Sequence, residues 1–145
     1  MARNPARPLS PHLTIWKWGP HMLVSIVHRA TGLTLAVGAV TIFTWWLTAA
    51  AISPAAYASF YHWVVEADAA SPRGGAQALF NWLARLVGIG LSWALFQHMA
   101  SGVRHLLLDT GAGYELRTNK RGALLTFLVS LVATLVLWAV ILGKY

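Results

Sequence analysis

Two clusters of polar side chains, each containing histidine, lie beside or within strongly apolar stretches of the sequence. One comprises Ser25, His28 and Arg29 in SIVHRATG, and the other comprises His98, Arg104, His105 and Asp109 in HMASGVRHLLLD. Ionisable groups in apolar surroundings cost free energy unless they are paired or used in function. Both clusters are therefore candidate functional sites.

His98 is the ionisable residue that lies furthest inside an apolar stretch. It precedes Arg104 by six positions, which is about 9 Å at the rise of an α-helix. One interpretation is a neutral histidine hydrogen-bonded to a neighbouring helix. The other is an axial ligand of a haem, because a neutral imidazole is a good donor to iron. In that case the small residues Ala94 and Gly102 would let a flat porphyrin approach the helix.

A six-coordinate haem needs a second axial ligand on the opposite side of the porphyrin. His105 lies on the same helix face as His98, about 10 Å further along the axis, so the two cannot bind one iron. His28 lies at the edge of its apolar stretch, and we expect it to differ from His98 in depth. The second ligand is therefore expected from another chain.

Basic side chains at the edges of the apolar stretches are suited to pairing with the two haem propionates. These residues are His28, Arg29, Arg104 and His105. Ordinary positive charge on the cytoplasmic side of a membrane is the alternative explanation for each of them taken singly.

Ser25 and Arg29 lie one helical turn apart, as a hydroxyl donor and a cation on one helix face. Such a pair would stabilise the negative charge that develops on the carbonyl oxygens of a quinone during reduction. Alternatively, Ser25 caps a helix start. Trp16 and Trp18 either wall a quinone pocket or anchor the chain at the membrane interface.

The composition indicates a membrane protein. Of the 145 residues, 57% are apolar and 10% charged, whereas a soluble domain has about 45–50% and about 25%. The absence of cysteine excludes disulfides, thiolate metal sites and iron–sulfur clusters held by this chain. The sequence also has no nucleotide-binding loop, no arginine cluster for a dicarboxylate and no catalytic triad, so the chain alone is not expected to oxidise a substrate.

Three apolar stretches are long enough to cross a hydrocarbon core of about 30 Å. The predicted spans are 24–52, 80–108 and 122–143, within a transmembrane domain of residues 21–145. A polar, proline-containing arm, residues 1–20, precedes them and lacks the apolar core of a signal peptide. The aromatic segment 57–65 is expected to form a short interfacial helix. The fold class is thus an all-α membrane protein.

Basic residues predict the orientation of the chain in the membrane. They are concentrated before the first span and after the second, at Arg3, Arg7, Lys17, Arg29, Arg117, Lys120 and Arg121. Because short cytoplasmic segments carry an excess of Lys and Arg, the N-terminus is expected on the cytoplasmic side. The sequence gives no reason to expect nucleic acid as a partner.

The stretches RPLSPHLTIWKWGPHMLVSIVHRATG, residues 7–32, and HMASGVRHLLLDTG, residues 98–111, resemble paired signatures of one family. It is the family of cytochrome b large membrane-anchor subunits of succinate dehydrogenase, respiratory complex II. The resemblance implies three transmembrane helices that form half of a haem-binding bundle with a second small membrane subunit. It also implies attachment of an iron–sulfur subunit and a flavoprotein subunit, and electron transfer from succinate to ubiquinone in the tricarboxylic acid cycle and aerobic respiration.

The resemblance also implies roles for individual residues. His98 would be the axial ligand of a shared haem b, and Ser25 and Arg29, with Trp16 beside them, would contribute to the quinone site. The propionate partners would be His28, Arg29, Arg104 and His105. The arm begins close to Met1 and resembles the alphaproteobacterial form, which favours a bacterial inner membrane.

Several alternatives stay open at this point. Fumarate reductase anchors use similar parts, so the direction of electron flow is not assigned. Other possibilities are a b-type cytochrome anchor of another dehydrogenase, a haem-free structural subunit and a small transporter.

Overall fold

The structure is a computed structural model that describes residues 18–66 and 75–143. Most of the N-terminal arm, including Trp16, lies outside the described residues. Every element in the described ranges is helical. Helix α1 (Pro20–Thr34) continues through a π-helical turn (Leu35–Ala39) into α2 (Val40–Ile52), and α3 (Pro54–Val64), α4 (Gly75–Asp109) and α5 (Leu116–Leu142) follow.

Three continuous helical stretches are long and apolar enough to cross a membrane: Pro20–Ile52, Gly75–Asp109 and Leu116–Leu142. The first two contain the predicted spans 24–52 and 80–108. The predicted span 122–143 begins inside the third and ends one residue beyond it. The predicted all-α fold with three transmembrane helices is confirmed, and the chain is a multi-pass membrane protein.

Local sequence explains where the first and third helices begin. Gly19 has an extended backbone and Pro20 occupies the first turn of α1, where its missing N–H costs nothing. Ser53 is also extended, and its hydroxyl oxygen accepts a hydrogen bond from the Ala56 N–H at 3.1 Å. The chain therefore turns sharply between α2 and α3, and a helix forms where the aromatic segment predicts one.

Most buried residues of the described chain are polar, whereas most large apolar side chains, Val24 and Phe60 excepted, face outward. Leu33 and Leu106, for example, are each 68% exposed. The buried polar residues are Thr31, Gln77, Asn81, Gln97, Ser101, Thr126, Ser130 and Thr134. Lipid tails are as apolar as leucine, so helices in a membrane associate through close packing and interhelical hydrogen bonds. The structure follows that rule.

A buried amide joins α4 to α5. The Gln97 side chain is fully buried, and its Nε2 donates to the Thr126 hydroxyl at 3.3 Å. The Ser130 hydroxyl donates back to Gln97 Oε1 at 2.7 Å. These bonds fix the rotation of α4 next to His98, and none of the three residues was predicted from the sequence to have a role.

At the other end of the bundle, α4 holds the C-terminus of α3. Asn81 Nδ2 and Gln77 Nε2 each donate to the carbonyl of His62 at 3.0 Å. Gln77 also donates to Asn81 Oδ1 at 2.9 Å. The last carbonyls of a helix have no partner within it, so the two buried amides satisfy groups that would otherwise be orphaned.

Candidate functional site

The half-buried imidazole of His98 lies where α4 packs against α1. Its Nδ1 is 3.1 Å from the backbone carbonyl of His28 and 3.3 Å from the hydroxyl of Thr31. A carbonyl can only accept a hydrogen bond, so Nδ1 carries the proton and the Nε2 lone pair is free. No described residue forms a hydrogen bond with Nε2. Histidine ligands of metals are held in this way, with the second ring nitrogen donating to a carbonyl.

The ring of His28 stacks on the ring of His98, with centroids 3.9 Å apart and planes 9° from parallel. His28 Nδ1 is 2.7 Å from the hydroxyl of Ser101. That hydroxyl donates its proton to the carbonyl of Gln97 at 2.7 Å, so it accepts the Nδ1–H of His28. Histidines from the two sequence clusters therefore lie in contact with each other.

The expected difference in depth between His28 and His98 is wrong. Helix α1 already begins at Pro20, which puts His28 about 12 Å inside it, and α4 continues past His98 for about 16 Å. The estimate of depth took Arg29 and Arg104 as the edges of the apolar stretches, but α1 begins before Arg29 and α4 continues beyond Arg104. Stacked rings still cannot sandwich one iron, because two axial nitrogens must approach it from opposite sides. A second ligand from another chain therefore stays a prediction.

Of the four basic residues predicted to pair with propionates, two lie in this cluster. His28 is one, and His105 is the other, with its ring centroid 5.0 Å from that of His28. Arg29 is exposed on α1. Arg104 points towards α5, where its guanidinium donates to Asn119 Oδ1.

The small residues near the two histidines permit the close contact between α1 and α4. A Cβ on Gly32 would lie 2.9 Å from Cε1 of His98, and one on Gly102 would lie 3.9 Å from Cε1 of His28. Ala94 is only 3% exposed and lines a groove between α1 and α4 beside Thr31 and Gly90, and the approach of a porphyrin there stays a prediction. Only with glycine at position 32 can α1 approach His98 this closely.

Ser25 and Arg29 lie on one face of α1. Arg29 Nε is 3.4 Å from the Ser25 carbonyl, so the exposed arginine folds back along the helix towards the serine. Ser25 is half-buried and lies inside α1, which begins after Gly19, so the alternative that it caps a helix is wrong. Its hydroxyl forms no hydrogen bond with any described residue. The hydroxyl of Ser25 and the guanidinium of Arg29 are therefore both available on this face of the helix. Trp18, just before the helix, is 65% exposed.

Comparison with known proteins points to one family. A sequence profile described as the succinate dehydrogenase/fumarate reductase transmembrane subunit matches residues 3–137. The chain is 40% identical over 110 residues to a succinate dehydrogenase cytochrome b556 subunit of Paracoccus denitrificans, which covers 76% of this chain and 72% of that protein. It is 30% identical over 132 residues to the b556 subunit of Rickettsia felis, covering 91% and 90%. It is 33% identical over 110 residues to the human mitochondrial cytochrome b560 subunit, covering 76% and 57%.

Proposed function

Because the chain belongs to the succinate dehydrogenase/fumarate reductase transmembrane subunit family, we propose that it is the cytochrome b anchor of a succinate:ubiquinone oxidoreductase. In this role it completes a helical bundle with a second small membrane subunit. It attaches the iron–sulfur and flavoprotein subunits to the membrane, and lipid surrounds its outward-facing apolar side chains. Its place is the tricarboxylic acid cycle and aerobic electron transfer.

The observation that carries the proposal is the tautomer of His98. Because Nδ1–H donates a hydrogen bond to a carbonyl of α1, Nε2 keeps its lone pair. A haem iron binds an imidazole through such a lone pair. A bound haem b supplies a one-electron carrier inside the membrane. In this proposal His98 is the ligand from this chain, and the partner subunit supplies the other. His28, His105, Arg29 and Arg104 are the candidate partners of the propionates.

The quinone-binding residues in this proposal are Ser25 and Arg29, with Trp16 beside them. The free hydroxyl and the guanidinium can both donate to the carbonyl oxygens of ubiquinone, where negative charge develops during reduction. Both lie in the first third of the helical stretch Pro20–Ile52. The positive-inside distribution supports the proposal that this end, with the preceding arm, lies on the cytoplasmic side, and the membrane proposed is a bacterial inner membrane.

The test is the difference absorption spectrum, reduced minus oxidised, of the complex purified through this chain from its native membrane. Succinate should produce the bands of a b-type haem. His98→Ala should abolish those bands, because in this proposal the iron binds Nε2 of His98 and the neighbouring His28 ring, held by Ser101, only supports that ligand. His62→Ala, a histidine variant on α3, is the matched control and should keep them. A full haem content in assembled His98→Ala complex would refute the ligand assignment.

A further inference from the structure

Helices α1 and α4 each provide hydrogen-bond acceptors for a histidine on the other helix. Helix α1 provides the acceptors for His98, namely the carbonyl of His28 and the hydroxyl of Thr31. Helix α4 provides the acceptor for His28, the hydroxyl of Ser101. Thr31 is 3% exposed and Ser101 is fully buried, so both hydroxyls are shielded from solvent by the chain itself.

We propose that Thr31 and Ser101 are positioning residues for the ligand His98. Thr31 acts on the ligand directly, and Ser101 acts through the ring of His28. This inference rests on the proposed role of His98 as a haem ligand. It goes beyond that role by naming the side chains that set the electron-donating strength and the ring plane of the ligand.

The geometry makes Thr31 an acceptor. Its hydroxyl lies 2.8 Å from the carbonyl of Val27 and 3.0 Å from that of His28, and it donates its single proton to these oxygens. The lone pairs of the hydroxyl are then available to Nδ1–H of His98 at 3.3 Å. An acceptor at Nδ1–H makes Nε2 a stronger donor, which favours the more highly charged ferric iron.

Ser101 controls the ring that covers His98. Its proton is directed to the carbonyls of Gln97, at 2.7 Å, and His98, at 3.1 Å, so only its lone pairs face His28. The bond to Nδ1 selects one orientation of the His28 ring. Rotation about the last side-chain bond of a histidine is otherwise soft. A fixed ring 3.9 Å away restricts the His98 ring to a nearly parallel plane.

The first experiment measures the midpoint potential of the haem in the purified native complex. Thr31→Val keeps the side-chain shape and removes the hydroxyl, so the potential should rise while haem content stays full. Thr31→Ser restores the hydroxyl and should restore the original potential. Thr134→Val is the matched control, because Thr134 is also buried and its hydroxyl donates only to the carbonyl of Ser130 in its own helix. An unchanged potential in Thr31→Val would overturn the role of Thr31.

The second experiment records the electron paramagnetic resonance spectrum of the ferric haem, whose g values report the planes of the axial imidazoles. Ser101→Ala should shift or broaden them, whereas Thr134→Val, the control used for the midpoint potential, should not. Identical spectra for wild type and Ser101→Ala would overturn the role of Ser101. A wild-type complex that lacks haem would instead refute the proposed role of His98 as a haem ligand, on which this inference rests, so the two failures are distinguishable.

Discussion

The imidazole rings of His28 and His98 lie nearly parallel, 3.9 Å apart, although 70 positions separate the residues in the sequence. Each ring carries its proton on Nδ1 and donates it to an acceptor on the opposite helix. The Nε2 lone pair lies in the plane of its imidazole, so in nearly parallel rings neither Nε2 points towards the other ring. One chain therefore presents a single ligand for an iron, with the second ring as its support.

Glycine at position 32 is what permits this contact. Because a Cβ there would lie 2.9 Å from Cε1 of His98, we expect Gly32→Ala to push the imidazole away from its acceptors. Overpacking of this kind costs about 1–3 kcal/mol. The complex should assemble with reduced haem content, measured as haem per flavin.

Gly90→Ala is the control for that variant. A Cβ on Gly90 meets no described atom within 4 Å, and alanine favours a helix over glycine by about 0.8–1.0 kcal/mol. Its haem content should stay at the wild-type value. Full haem in Gly32→Ala would show that the histidine contact tolerates the extra methyl group.

The sequence predicts the three membrane helices well, because uncharged stretches of this length leave little choice in a bilayer. It also predicts that Ser25 and Arg29 share a face, because residues four apart on a helix always do. The pairing of His28 with His98 was not predicted. It depends on the relative axial position of two helices that are distant in sequence, and taking Arg29 and Arg104 as the membrane edge placed the two histidines at different depths.

Buried uncharged side chains were the other omission. Thr31 and Gln97 carry no charge, so a search for ionisable groups passes over them. Thr31 lies three positions after His28 in SIVHRATG, and Gln97 is the amide directly before His98. An uncharged polar residue next to a candidate ligand, inside an apolar stretch, is the signal that would have identified both.

Loss of the Gln97 side-chain amide should weaken the packing of α4 on α5. Gln97→Leu removes both interhelical bonds and leaves Thr126 and Ser130 with bonds inside their own helix only. Interhelical hydrogen bonds in membranes are worth about 0.6 kcal/mol on average and at most about 1.7 kcal/mol. We expect a lower thermal unfolding midpoint for the purified complex. Leu128→Met, on the exposed surface of α5, should leave the midpoint unchanged.

Asn81 is expected to be essential for the docking of α3. Asn81→Leu removes the donor to the His62 carbonyl and exposes the end of α3, while Gln77 retains one bond to the same oxygen. Residues 54–66 should then exchange amide hydrogens faster, as measured by mass spectrometry, while α5 keeps its protection. Unchanged exchange in 54–66 would mean that Gln77 alone holds the helix.

Ser25→Ala and Arg29→Gln should separate quinone reduction from succinate oxidation. Removing one donor from a site that stabilises developing negative charge typically costs about 10²–10³ in rate. Since Ser25 is only half-buried, we expect a loss of at least about tenfold in succinate-driven ubiquinone reduction for each variant. Electron transfer from succinate to a soluble dye, which bypasses the membrane subunits, should stay at the wild-type rate.

The controls match each change in chemistry at a position away from the pair. Ser59→Ala removes an exposed hydroxyl from α3, and Arg121→Gln removes an exposed cation from α5 on the same side of the membrane as Arg29. Both should reduce ubiquinone at the wild-type rate. If Ser25→Ala lowers the dye and quinone activities equally, the variant is misassembled. If it lowers neither, the free hydroxyl of Ser25 does not contact the quinone, and Arg29 alone would have to stabilise the charge on the carbonyl oxygen.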